Sequence, residues 1–463
     1  MVSILLDLHH RSRGWSCPQS SDTPTNTDAE PTTLRDVKTL VLGPGGREHA
    51  IVQALRADPL VSEVRCAPGN AGIAKEVPVY PIDVSSPQLV VELCQQLQPD
   101  LVVVGPEALL ASGVANALHA AGFSVFGPTH QAAKLESSKA FAKDVMGAAG
   151  VPTGAAHTAV NATQLAAALD DFGAPYVVKD DGLAAGKGVI VTSDRDAAIA
   201  HGEAIFADGD PVLVEEFLDG PEVSVFVIAD GKDGVAMSPA QDFKRVYNDD
   251  EGPNTGGMGA YTPLEWLPEN FTDDVMEQVA RPVLQEMADR GTPFTGVLYC
   301  GLAVTKKGIQ VIEFNARFGD PETQPVLARL QTPLGQLLKA AADGKLRATF
   351  PTIKFDPQAA VGVVMAAAGY PDAPQTGAQI TGVAQAARTK DISILHAGTT
   401  AGTTGEYTAS GGRLLTVVAT GDDLASARDH AYDAVEQISI PDGHFRTDIA
   451  AKAIDGQITI PEA

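Results

Sequence analysis

From Val37 onward the chain repeats one pattern: a short apolar strand, a glycine-rich turn, then an amphipathic helix. Residues 39–42 read as the first strand, residues 43–46 as the turn, and residues 48–57 as a helix with Ile51, Val52 and Leu55 on one face. The strand signal returns at residues 61–66 and 101–104. Strands alternating with helices predict a parallel α/β sheet, because parallel neighbours must be joined by a crossover and a helix fills it. This first domain is expected to span residues 37–137.

A second region, residues 138–354, opens with a helix at residues 138–148 and holds two strands around a glycine turn at residues 176–191. Further strands are expected at residues 212–216 and 223–228. The polar, glycine-rich stretch at residues 241–261 is too long for a plain connection and reads as a functional loop. A last region, residues 355–463, carries strands at 361–366 and 414–419 and a helix at 424–437. Residues 20–33 mix Ser, Thr, Pro, Asp and Asn with almost nothing to bury, so residues 1–36 are expected to be a disordered leader. The apolar residues 2–8 lack the basic flank and cleavage site of a secretory signal.

At 463 residues and 44% apolar, the chain can bury the cores of about two to four domains. The balance of 33 basic against 58 acidic residues gives a net charge of -25, which repels nucleic acid and anionic lipid and sets both aside as partners. Any phosphate-bearing ligand must then be met by positive groups or backbone N–H donors gathered in one cleft. Cys17, Cys66, Cys94 and Cys300 include no C-x-x-C pair, so a zinc site and a disulfide framework are not expected and a cytoplasmic setting is. No apolar run has the roughly 18–20 residues needed to span a bilayer.

Four stretches concentrate chemistry. In residues 176–191, Lys179 ends a strand and Lys187 stands in the turn between Gly186 and Gly188. Glycines let backbone N–H groups approach phosphate oxygens while the lysines supply charge, an arrangement suited to a triphosphate, although the Walker A order is absent. A hairpin with two solvated lysines is the bland alternative. Residues 214–222 join a strand to a turn, offering backbone groups to a purine edge and Glu222 to ribose hydroxyls. The sharpest pattern is Val311-Ile312-Glu313-Phe314-Asn315-Ala316-Arg317-Phe318-Gly319-Asp320-Pro321-Glu322. Strand alternation puts Glu313, Asn315 and Arg317 on one face and Ile312, Phe314 and Ala316 on the core face. Carboxylate and amide oxygens are hard ligands suited to magnesium, and an arginine beside them can grip phosphate or carboxylate.

The fourth stretch, Gly43-Pro44-Gly45-Gly46-Arg47-Glu48-His49, opens a helix after a strand, where free N–H groups and the helix dipole favour an anion. It fails the dinucleotide fingerprint: Glu48 stands where the third glycine belongs, and the second strand ends in Cys66-Ala67-Pro68 without a ribose-binding acid. Nicotinamide and flavin enzymes are thereby disfavoured.

Taken in order, these stretches, with Pro68-Gly69-Asn70-Ala71-Gly72, Val104-Gly105-Pro106-Glu107, Ser138-Lys139-Ala140-Phe141, residues 253–261, His396-Ala397-Gly398-Thr399 and Gly411-Gly412-Arg413, closely resemble the phosphoribosylamine-glycine ligase family of the ATP-grasp superfamily. The resemblance covers residue 37 to the end. It implies an ATP-grasp fold: an N-terminal pre-ATP-grasp α/β domain, an ATP-grasp body with a small lid at about residues 151–212, and a C-terminal α+β domain. It further implies ATP-dependent joining of glycine to 5-phosphoribosylamine, through glycyl phosphate, with Mg2+ or Mn2+. Carried over residue by residue, Lys139, Lys179, Gly186, Lys187 and Gly188 would contact ATP phosphates. Glu215, Glu216 and Leu218 would hold adenine, and Glu222 ribose. Glu313 and Asn315 would bind the metal. Arg317, Asp242 and Asn254 become catalytic candidates. Gly45, Gly46, Arg47, Glu48, Asn70, Glu107, Lys244, Thr255 and Gly256 become substrate-binding ones. A monomer with small-molecule partners is expected.

Three departures accompany the resemblance. Asp180 follows Lys179 where the family usually has alanine, and Phe243 replaces a usual histidine. No carboxylate lies between residues 296 and 304, where many ATP-grasp members place another metal ligand, so one or two metal ions stay open. Family chains begin near the first strand, which makes Val37 a candidate true start. The rival readings are an ATP-grasp ligase for another acid or amine, and a silent scaffold. The scaffold would be expected to have lost Lys179, Glu313 or Asn315, and all three are present.

Overall fold

Strand Val37–Gly43 lies inside a four-stranded parallel sheet, in the spatial order Val61–Pro68, Val37–Gly43, Leu101–Val104, Val125–Phe126. The computed structural model describes residues 37–183, 188–402 and 406–462. The expected leader and the ATP-binding candidates Gly186 and Lys187 lie outside the described residues. Leu40, Leu42, Val102 and Val104 feed one apolar cluster and Val41, Leu101 and Val103 another, so this sheet is covered on both faces, as parallel sheets are. Helix Gly46–Ala57 follows the strand directly and buries Ile51, Val52 and Leu55, the face its periodicity predicts.

Outside this region the sheets are antiparallel. A small sheet, ordered Ala156–Ala159, Val212–Glu215, Tyr176–Asp180, Val189–Thr192, packs under helices Ala162–Phe172 and Arg195–Asp208. Its core, including Leu165, Leu169, Val178 and Val214, is a cluster of its own. That is the construction of a lid: a body with internal cohesion. Both helices start at side-chain caps, Asn161 and Asp194, which satisfy first-turn N–H groups.

The central sheet, ordered Gly234–Ala236, Glu222–Asp230, Thr295–Thr305, Gly308–Asn315, corrects the alternation expected for its last strand. Gly301 pairs with Glu313 but Leu302 pairs with Val311, so Ile312 is an extra, bulged residue. The residues in the core are Ile309, Val311, Phe314 and Ala316, while Ile312 is half-buried and outside it. Without the bulge Glu313 would share the face of Val311; the inserted residue turns it outward. The strand ends at Asn315, so Arg317 is placed by the turn that follows and not by strand alternation.

The stretch read as a functional loop is largely extended. Gln241–Asp242 and Gly259–Thr262 are strands of a five-stranded sheet completed by Ala359–Ala366, Arg413–Gly421 and Ile392–His396, and Arg245–Tyr247 pairs with Glu251–Asn254 as a hairpin. Phe243 packs into the core, 6.2 Å from Tyr261, with the Arg446 guanidinium stacked 4.9 Å over its ring. An aromatic ring therefore replaces the usual histidine at a packing position.

Candidate active site

Glu313 is the centre of the site. Burial alone would raise its pKa, but Lys244, Lys179, Lys139 and Arg317 outweigh burial and hold the carboxyl below its ordinary value. These four cations come from four separate segments, and the fold gathers them around one carboxylate in an acidic protein. Asn315 lies two residues on, at the strand end opposite Tyr299. The pair offers two hard oxygen donors. Among the described residues no cluster of three or more His, Cys, Asp and Glu side chains is found.

On the lid side, Glu215 is buried and clamps two lysines. Its Oε1 accepts from Lys143 Nζ at 2.9 Å and its Oε2 pairs with Lys179. Lys179 also reaches the carbonyl of Ile312, the bulged residue, at 3.4 Å. Lys179 and Lys143 hold the Glu215 carboxyl below its usual range against the opposing effect of burial. The Glu215 side chain is thus paired with two lysines, so any contact it makes with adenine would run through its backbone. Lys139 begins helix Lys139–Ala149, capped by Ser138, and donates to the Gly182 carbonyl at 3.0 Å. Asp180 accepts from the Gly182 N–H at 2.9 Å, so this departure serves as a turn cap. The Gly188 carbonyl accepts from the Asp180 N–H at 2.7 Å. Glu216 pairs with Lys307 at 2.7 Å, and its N–H is taken by the Ala155 carbonyl. The backbone groups of Phe217, Leu218 and Asp219 have no backbone partner among the described residues and remain available to a purine edge.

Across the cleft, Lys244 Nζ meets Glu222 Oε2 at 2.5 Å. Burial pushes Asp242 up to about 7, with Lys244 opposing and Glu322, Glu222 and Glu313 adding to the rise. Thr255 Oγ1 donates to the Lys244 carbonyl at 2.9 Å and accepts from the Gly257 N–H at 2.9 Å, shaping the turn that holds Gly256. Asn254 ends the hairpin opposite Arg245. Arg413 crosses from the C-terminal sheet to the carbonyls of Gly256, at 2.5 Å, and Asp320, at 2.7 Å. Arg317 Nε lies 3.2 Å from Glu107 and a terminal nitrogen lies 3.0 Å from Glu136. Arg317 and Arg47 together hold Glu107 down to about 2, although its partial burial favours the neutral form.

The N-terminal turn is less open than its sequence suggests. Glu48 Oε2 accepts from the Gly45 N–H at 2.6 Å, and Oε1 pairs with Arg47 Nε at 2.6 Å. The carboxylate occupies the helix N-terminus that was expected to receive an external anion, and a Cβ on Gly105 would come within 2.1 Å of it. Arg47 also donates to the Phe318 carbonyl at 3.1 Å. Gly46 packs against Gln324. Asn70 donates to the carbonyls of Pro44 and His396, both at 2.7 Å, and accepts from the N–H groups of Gly72 and Ile73. Its donors and acceptor are all used within the protein, so it staples these segments together.

Sequence reasoning missed Lys143, Glu136 and the Ser224–Tyr299–Glu322 group. Lys143 was within reach, since it stands four residues after Lys139 on the same helical face. Glu136 carries no local signal, and Glu322 closes the 311–322 pattern without having been given a role.

Models of phosphoribosylglycinamide synthetase match in three parts: the N domain at residues 37–136, the ATP-grasp (A) domain at 137–323 and the C domain at 360–452. The curated phosphoribosylamine-glycine ligase of Streptomyces coelicolor is 54% identical over 420 residues, covering 90% of this chain and 99% of the relative. That of Mycobacterium tuberculosis is 51% identical over 429 residues, covering 92% and 100%. The crystal structure of the Thermotoga maritima phosphoribosylamine-glycine ligase superposes with a TM-score of 0.76 at 32% identity, over 89% of this chain and 100% of that one. Biotin carboxylase from Campylobacter jejuni shares the fold alone, with a TM-score of 0.68 at 15% identity over 87% and 92%.

Proposed function

The chain belongs to the phosphoribosylglycinamide synthetase family and ligates glycine to 5-phosphoribosylamine in purine biosynthesis; on that premise we propose that the lid lysines hold ATP, the bulged strand end a divalent cation, and the 317–322 turn the substrates. The observation that carries this division is that Lys179, paired with Glu215, reaches the carbonyl of the bulged Ile312 next to Glu313, while Lys139 holds the Gly182 carbonyl at the same end of the cleft.

Lys139 and Lys179 face the ATP phosphates, the backbone at residues 217–219 takes the adenine edge, and Glu222 exchanges Lys244 for ribose hydroxyls. Glu313 and Asn315 would hold magnesium or manganese, which when bound would supply positive charge to the transferring phosphoryl group. The carboxylate of glycine attacks the γ-phosphate, giving ADP and glycyl phosphate. The amine of phosphoribosylamine then attacks the acyl carbon, and phosphate leaves with the bonding pair. No protein nucleophile takes part, so the side chains orient reactants and balance charge. Glycyl phosphate hydrolyses readily, and closure of the lid over it excludes water.

Arg317, steadied by Glu107 and Glu136, meets the phosphate or carboxylate of a substrate. Asp242, beside Lys244, and Asn254, at the end of the hairpin, complete the catalytic candidates. Every group named belongs to one copy of the chain, so a monomer suffices. The buried thiols of Cys66, Cys94 and Cys300 suit the reducing cytoplasm, and no described helix is long and apolar enough to cross a membrane. Product analysis with ATP, glycine and freshly made phosphoribosylamine tests the reading. Glycinamide ribonucleotide is the expected product; ATP consumption on another acid with none formed would overturn it.

A further inference from the structure

Lys143 has no role in the division of labour just proposed, yet its ammonium uses all three of its donors. They go to Thr153 Oγ1 at 2.8 Å, the Gly154 carbonyl at 2.9 Å and Glu215 Oε1 at 2.9 Å. Two of these partners stand on the connection that enters the lid just before strand Ala156–Ala159, and the third ends strand Val212–Glu215, where the chain leaves it. Further bonds fasten the connections. Val311 N–H donates to the Pro152 carbonyl at 2.8 Å, Thr153 Oγ1 to the Val311 carbonyl at 2.7 Å, and Glu216 N–H to the Ala155 carbonyl at 2.9 Å. One oxygen of Glu215 is therefore held from the body side, by Lys143 on helix Lys139–Ala149. On the other oxygen sits Lys179, one of the lysines assigned to the ATP phosphates. The Glu215 side chain is only 7% exposed, so little water reaches it to replace a departing partner.

We propose that Lys143 is a positioning residue that frees Lys179 for ATP, an inference that rests on the ligase reading. To gain the full charge of Lys179, the nucleotide must draw that lysine away from Glu215. A buried carboxylate left with no cation is strongly disfavoured. With Lys143 in place, Glu215 keeps one ammonium on Oε1 when Lys179 turns to the phosphates, so the exchange leaves no bare charge behind. Two ammonium groups face one carboxylate before ATP arrives; afterwards one faces the carboxylate and the other the polyanion. Lys143 does not follow Lys179 to the nucleotide, because Thr153 and the Gly154 carbonyl hold it at the lid connection. Without Lys143, Lys179 is the last cation on Glu215, and phosphate competes with a buried ion pair for the same lysine.

Equilibrium binding of a non-hydrolysable ATP analogue to the full chain, alongside steady-state KM values, tests this. Lys143→Met keeps the length of the side chain and removes the ammonium. It should weaken analogue binding and raise the ATP KM roughly 10- to 100-fold, and leave the glycine KM in place. Adding Glu215→Gln to Lys143→Met removes the charge that detains Lys179, and should restore analogue binding by about 3- to 10-fold over Lys143→Met alone. A residue that only held the lid together would give the opposite, since the second substitution removes another bond and binding would fall further. Lys143→Arg keeps a cation and should bind the analogue more tightly than Lys143→Met. Lys143→Gln, which can still donate to the Gly154 carbonyl, gives the same reading should Lys143→Met fail to fold. Unchanged analogue affinity on loss of the ammonium, or a double variant that binds no better than the single one, overturns the assignment. Failure of the unaltered protein to form glycinamide ribonucleotide, with these affinities behaving as stated, would instead remove the ligase reading alone, so the two failures are distinguishable.

Discussion

On the lid flank of the cleft one carboxylate, Glu215, pairs with both Lys143 and Lys179, whereas on the flank built from residues 43–76 the uncharged Asn70 joins the carbonyls of Pro44 and His396 and Arg47 reaches that of Phe318. The first arrangement is a set of ion pairs that a polyanion can reorder without disturbing the chain path. The second is a set of staples whose loss moves the chain itself. On the proposed reading, charge on one flank serves ligand binding and hydrogen bonding on the other holds the chain in shape. Substitutions on the two flanks should separate along that line, with kinetics changing on one and stability on the other.

The largest effect is expected at Glu313. Glu313→Ala removes the carboxylate that four cations surround, and turnover should fall by about 100- to 1,000-fold or more, while the denaturation midpoint stays close to that of the unaltered protein. Near-normal turnover would break the metal assignment. On the other flank, Asn70→Ala should cost about 2–3 kcal/mol in urea unfolding, because donors and acceptors in three segments lose partners together. If the KM for phosphoribosylamine rose instead with stability untouched, Asn70 would be a ligand contact after all.

A third measurement concerns acid. Glu107 has its pKa lowered from 4.5 to about 2 in the folded chain, so its ion pairs with Arg317 and Arg47 contribute stability that is fully present above pH 4.5 and is lost as pH falls toward 2. In Glu107→Gln the slope of stability against pH should flatten in that window by up to about one proton equivalent. An unchanged acid limb would show that the arginines do not depend on Glu107. The smallest effect is expected for Tyr370→Phe, which removes the 3.0 Å hydrogen bond from the Gly256 N–H to the tyrosine hydroxyl. It should lower stability by about 1 kcal/mol or less, with Arg413 still holding the Gly256 carbonyl.

The strand, glycine turn and helix from Val37 to Ala57 were legible because the signal is local: apolar periodicity marks the buried faces, and glycines mark where the chain turns. Glu313 and Asn315 were picked out for a related reason, since two hard oxygen donors stand two residues apart at a strand end. The argument that placed them was incomplete, because it assumed a strict two-residue period and the strand contains a bulge. The bulge is defined by register against Gly301 and Leu302 on the neighbouring strand, which residues 308–315 alone do not reveal. The stretch at residues 241–261 was read as a loop because its strands are two to four residues long and draw their apolar cover from residues 359–366, more than a hundred positions later.

By itself the sequence determined the parallel first sheet, the lysines and glycines suited to phosphate, and the carboxylate and amide suited to a cation, since composition and short-range spacing fix which groups are available and which faces are apolar. Tertiary structure alone decided which groups are free to act. Glu48 closes its own helix end, Asn70 is filled by partners as far away as His396, and the Glu215 carboxylate is claimed by two lysines. The physical reason is that a polar group's availability depends on the last hydrogen bond it makes, and those bonds are closed by residues that only folding brings within reach.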